Sequence, residues 1–184
     1  KIGVDHILPG GHDHILFVIA LVLTSTRLRP LVIQVTTFTL AHTVTLGLAG
    51  AGAITPPAGI AEPLIAASIA VVAIEKLWVR DMPKWRPVVV FGVGLLHGLG
   101  FAGFFGELGL PPGQFWSALI GFNVGVEIGQ IAIVLVTLAI LVTAQRAIDT
   151  ADESGATAYR RWGVPPAPLL IASICLWWGI QPAV

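Results

Sequence analysis

Charge is what this sequence has least of: 11% of its 184 residues are Asp, Glu, Lys or Arg, against about a quarter in a soluble domain. Cysteine, methionine and tyrosine occur once each. The lone Cys175 excludes an intrachain disulfide framework and suits a small apolar filler. Ten basic and ten acidic residues cancel, which argues against a basic nucleic-acid binder. No ATP-binding motif is present, so direct ATP drive within this chain is not expected. What the sequence has in excess is apolar: 55% hydrophobic residues and a mean hydropathy of +0.88. One core of this size would not hide that surface, so lipid is the expected solvent.

Six apolar stretches approach the length of a membrane crossing: Gly11 to Thr26, Leu31 to Ala49, Ile60 to Trp78, Pro87 to Phe105, Phe115 to Thr143 and Val164 to Ile180. The breaks carry Arg27 to Pro30, Pro56-Pro57, Arg80 to Arg86, Pro111 to Gly113, and Gln145 to Arg161. None reads as a domain linker. The expected architecture is therefore an all-α, polytopic six-helix membrane bundle forming a single transmembrane domain over residues 1–184.

The first, third and fifth connections hold the loop arginines and lysines, while the second and fourth have none. The positive-inside bias makes the odd connections cytoplasmic and both termini external. An N-out first span after so short a tail, and a first residue that is Lys1, fit a cleaved signal peptide and the inner membrane of a bacterium. Glu75 beside Lys76 reads as a solvated boundary pair. Trp78, Trp85, Trp116, Trp162, Trp177 and Trp178 fall near span ends, as in an aromatic belt.

Basic loop residues serve as rulers. His14 is 13 residues from Arg27, His42 is 13 from Arg29, Glu62 is 14 from Lys76 and His97 is 11 from Arg86. At about 1.5 Å per residue these stand roughly 16–21 Å above the inner boundary, in one layer. Glu127 comes out higher, about 28 Å above Arg146. Ionisable groups in lipid should face the bundle interior and one another, water or an ion. Asn123, Glu127 and Gln130 form a polar stripe, and Thr39, His42 and Thr45 share a broader face; together they suggest a polar lumen. Gly121, Gly125 and Gly129, with Gly94 and Gly98, predict that the fourth and fifth spans touch.

Imidazole with carboxylate suits divalent transition ions such as nickel, cobalt or zinc. His14, His42 and His97 lead the candidate ligands. Asp13 orients the neighbouring imidazoles or binds directly; Glu127, Glu62, His6 and His12 complete the set. Glu62 serves equally well as an interfacial carboxylate at a helix start. His12 and His14 are about 200° apart on an ideal helix, so sharing an ion requires an unwound Gly10-Gly11 end. The expected polar lining is Thr39, Thr45, Asn123 and Gln130.

Four segments carry a family resemblance: His6-Ile-Leu-Pro-Gly-Gly-His-Asp13-His14-Ile-Leu-Phe17, Phe38-Thr-Leu-Ala-His42-Thr-Val-Thr-Leu46, Phe91-Gly-Val-Gly-Leu-Leu-His97-Gly-Leu-Gly-Phe101, and Phe122-Asn-Val-Gly-Val-Glu127-Ile-Gly-Gln130. In combination they resemble the HupE/UreJ family of nickel or cobalt permease-like membrane proteins, and the resemblance implies metal permeation. Six residues separate His6 from Asp13, one more than the family pattern.

The expected function is a divalent transition-metal transporter with an intramembrane His/Glu site. The alternative is an intramembrane zinc hydrolase with a three-histidine site and Glu62 or Glu127 as general base. A third reading is a sensor or assembly partner that binds metal only structurally. The partners implied are the metal ion and membrane lipid, with no nucleic acid; self-association into a homo-oligomer stays open.

Overall fold

The computed structural model describes residues 1–55, 59–78, 83–101, 103, 113–149 and 166–180, and within them it is all-helical, without a strand. The helices are α1 (Ile2–Ile7), α2 (His12–Thr24), α3 (Leu28–Gly50), α4 (Ala61–Glu75), α5 (Arg86–Gly100), α6 (Phe115–Asp149) and α7 (Pro166–Ile180). Proline opens four of them: Pro30, Pro63, Pro87 and Pro166 each lie in a first turn, where the missing N–H costs no hydrogen bond. The turn after α3 closes on Gly52 at φ +74°, a left-handed conformation that favours glycine.

By length and apolarity α3 and α6 qualify as membrane spans. The other four expected spans correspond to α2, α4, α5 and α7, of 13–15 residues each. α1 was not expected at all. Its sequence signal is Gly3 and Ile7, a buried pair one helical turn apart within what reads as a tail.

Small residues decide which helices meet. A Cβ on Gly94 would stand 2.6 Å from the Phe38 carbonyl oxygen and 2.9 Å from Ala41 Cβ, so α5 lies directly on α3. Thr45 Oγ1 reinforces the seam by donating to the Leu95 carbonyl at 2.9 Å. Gly125 approaches Gly3 Cα and Gly129 approaches Ile7, at 3.0 and 2.9 Å from their added Cβ positions, so α6 uses its glycines to receive α1. Gly121 faces open space. The expected glycine contact between the fourth and fifth spans is thus replaced by two others, α5 on α3 and α1 on α6. Spacing alone signalled close approach but not the partner.

Gly94→Ala is expected to cost about 1–3 kcal/mol, because the methyl meets backbone that cannot yield. Gly92→Ala, where nothing lies within 4 Å, is expected to gain up to about 1 kcal/mol of helix propensity. Denaturant titration of the purified protein in detergent measures both.

The ends of α2, α4 and α5 distal to the histidines are tied by charge. Arg86, fully buried, donates from Nη1 to Glu75 Oε2 at 2.7 Å and from Nη2 to Thr24 Oγ1 at 3.2 Å. Glu75 is therefore not the solvated partner of Lys76 that the sequence suggests; the helix turn carries it toward α5 instead. Trp78 and Trp85 are exposed near this end of the helices, and Trp116 and Trp178 at the other, while Trp162 lies outside the described residues.

Candidate metal centre

Four helices each bring an imidazole to one place. His6 comes from α1, His14 from the first turn of α2, His42 from α3 and His97 from the last turn of α5. Ring centroids are 4.8 Å apart for His6 and His14, 5.8 Å for His14 and His42, and 5.0 Å for His14 and His97. Gly11 makes this fold-back feasible: a Cβ there would stand 2.6 Å from the His6 carbonyl oxygen. His14, His42 and His97 are fully buried.

Hydrogen bonds at the opposite ring nitrogen define the tautomers. His42 Nδ1 lies 2.9 Å from Asn123 Oδ1, and Asn123 is itself held by donating Nδ2 to the Leu119 carbonyl. His97 Nδ1 lies 2.9 Å from the Val93 carbonyl, which can only accept. His14 Nδ1 lies 3.1 Å from Asp13 Oδ1. Each of these three rings donates through Nδ1, which leaves Nε2 as a bare lone pair. The Nε2 atoms of His6, His14, His42 and His97 are all buried without a hydrogen-bond partner. Orphaned acceptors are expensive in a protein interior, and a cation among them relieves the cost.

Two ligand groups have donor atoms within 4.8 Å of one another: His6, His14 and His42, and Asp13, His14 and His97. His14 belongs to both. Asp13 Oδ2 reaches to 3.8 Å from His97 Nε2, so this carboxylate approaches two imidazoles. Phenyl rings wall the cluster. Phe101 and Phe122 lie against His6, with centroids at 3.8 and 5.3 Å, and Phe38 lies 5.4 Å from His14 and 4.9 Å from His97. Phe17 stacks beneath, 4.9 Å from Phe38.

Residues 1–182 match the family model described as HupE / UreJ protein. The chain belongs to the HupE/UreJ family. The comparison with curated proteins and that with solved structures each return no match. HupE/UreJ proteins are membrane-associated and connected with nickel and cobalt handling. In this HupE/UreJ protein the resembling segments lie on α1–α2, α3, α5 and α6. Three of them supply imidazoles, and the fourth supplies Asn123, which orients one.

Other expected site residues lie elsewhere. His12 is exposed and packs its ring on Trp178 of α7, at 5.7 Å, in accord with the angle separating it from His14. Glu62 is exposed at the start of α4 and is in neither ligand group. Glu127 is also outside both groups; Thr36 donates to its Oε1 at 2.6 Å. Thr36 lies six residues before His42 on α3, so Glu127 sits below the imidazoles rather than above them. The ruler failed because α6 runs 35 residues, about 52 Å, and its Arg146 extends well past the level of the other loop arginines. Thr45 is committed to the α3–α5 seam, and Thr39 approaches Gln130 at 3.1 Å. Of the side chains expected to line an open lumen, Thr39, Asn123 and Gln130 pair across α3 and α6, and Thr45 across α3 and α5.

The phenyl walls and the Val93 carbonyl are not evident from the sequence. Phe17, Phe38 and Phe101 lie within four residues of a clustered histidine, which is the available signal.

Proposed function

We propose that this protein passes a divalent transition-metal ion, nickel or cobalt before zinc, across a membrane by way of the imidazole cluster. The observation that carries the reading is the convergence of four buried, unpartnered Nε2 atoms from four helices. Neutral imidazole nitrogens in a dry site suit borderline transition ions over magnesium or calcium, which take oxygen. The cluster joins separate helices instead of closing within one, so small relative motions of α1, α2, α3 and α5 change its affinity, and an ion that is to leave must not be held too firmly.

Six crossings with both termini outside remain our reading of the topology, with the inner membrane of a bacterium as the setting. It is supported by the charge pattern of the loops and by the outward apolar side chains Leu40, Val71, Val88, Ile120, Ile140 and Leu170, a surface that lipid would cover. Residues 1–184 then form a single transmembrane domain. The hydrolase alternative loses support because Glu62 is exposed at the start of α4 and Glu127 is engaged by Thr36, six residues below His42, so neither carboxylate is set to take a proton from water at the imidazoles.

The test is influx of Ni²⁺ or Co²⁺ into liposomes carrying the purified chain. Accumulation well above that of protein-free liposomes is expected. Equal accumulation in both would end the transport reading.

A further inference from the structure

An ion released from the cluster toward the cytoplasmic side meets two different surroundings. Between α2, α3 and α5 the way is dry: Phe17, Leu21, Leu31, Val35, Phe38 and Val90 are fully buried, and the Arg86–Glu75 pair lies beyond them. An apolar plug followed by a guanidinium is a poor route for a cation.

The α3–α6 seam is different. His42 meets Asn123, Thr39 meets Gln130 and Thr36 meets Glu127, so polar contacts cross from one helix to the other along this seam. Two atoms in it are buried and unpartnered, Glu127 Oε2 and Gln130 Nε2, and Gln130 is fully buried. The two residues are one turn apart on one face of α6.

Thr39 Oγ1 lies 3.1 Å from both the Val35 carbonyl and Gln130 Oε1, yet it has a single proton to give. When Val35 takes it, a half-turn of the Gln130 amide lets Nε2 donate to Thr39 and swings Oε1 to the unpartnered side. The unpartnered atoms of Glu127 and Gln130, one turn apart on α6, would then both be acceptors, which is the chemistry of a cation site.

Glu127 is too far from the histidines to share their ion. Thr36, its partner, is six residues below His42, about 9 Å along the helix, whereas ligands of one ion each stand about 2 Å from it. We infer that Glu127 and Gln130 form a second, oxygen-donor station for a divalent cation on the α3–α6 seam, through which the ion leaves the imidazole cluster. The inference rests on the transport reading for its direction but not for its binding chemistry. Handing an ion from nitrogen to oxygen ligands lowers its affinity step by step and favours release.

The experiment uses the purified full chain with Co²⁺ alone as probe, combining equilibrium dialysis, visible absorption and liposome influx. Wild type is expected to bind two ions. Glu127→Gln is expected to bind one, with the absorption of the nitrogen-ligated ion unchanged, and to lose at least about tenfold in influx. A variant that keeps both ions or wild-type influx overturns the second station, as does a wild type that binds one ion only. If that one ion vanishes in His97→Ala, the imidazole reading survives; a wild type that binds none removes both. Should Glu127→Gln fail to fold, Thr36→Val removes only the hydroxyl donor to Oε1, and an unchanged affinity for the second ion would then overturn the station.

Discussion

Replacing His97 with alanine is expected to cut metal influx into liposomes at least about 100-fold while leaving the helical content intact. Loss of a residue that merely orients a ligand costs about 10–100-fold in metal affinity, and loss of the ligand itself falls at or beyond the upper end. His97 is a strong test because its Nδ1 is held by the Val93 carbonyl of its own helix, which leaves the buried Nε2 for the cluster. Asn123→Ala is expected to weaken binding by about 10–100-fold through His42, whose Nδ1 it holds. His12→Ala should stay within about twofold of wild type, since His12 packs edge-to-face on Trp178 away from the cluster. Equal losses in His12→Ala and His97→Ala would mean that the imidazoles matter for assembly and not for the ion.

Arg86→Met is expected to be the most destabilising single change away from the cluster, by about 3–5 kcal/mol, because it strands Glu75 as an uncompensated charge in the interior. Glu75→Leu combined with Arg86→Met should recover most of that loss or exceed the wild type, since an apolar pair of similar volume avoids desolvating two ions. Denaturant unfolding of the four proteins, wild type included, forms the cycle that measures the coupling. A single Arg86→Met that costs under about 1 kcal/mol would show the pair to be solvated in the folded protein.

The histidine layer was legible because two quantities available from sequence, the offset from loop arginines and the rise per residue, give depth along a helix. Depth is not direction. Glu62 has the right offset from Lys76, yet it is exposed, because nothing in a single helix says which side its neighbours take. Glu127 was misplaced for a different reason: α6 continues to Asp149, beyond where its apolar stretch appears to end, so the arginine used as its origin does not mark the common boundary. His6 depends on a six-residue helix that is received by Gly125 and Gly129 on a distant part of the chain. The same holds for Arg86 and Glu75, eleven residues apart: each looks like a loop charge until α4 and α5 are laid side by side.

The ring of phenyl groups has a consequence for discrimination among ions. A cluster walled by Phe38, Phe101 and Phe122 has few partners to offer a hydration shell, so a cation bound as proposed would have to shed water before the imidazoles could hold it. Under the proposed transport, magnesium would find few oxygens inside to replace the water it gives up, and so would be disfavoured by the walls as well as by the nitrogen ligands. Ranking among the remaining candidates would then rest with what replaces the lost water, and imidazole nitrogen compensates a borderline transition ion better than it does a hard one.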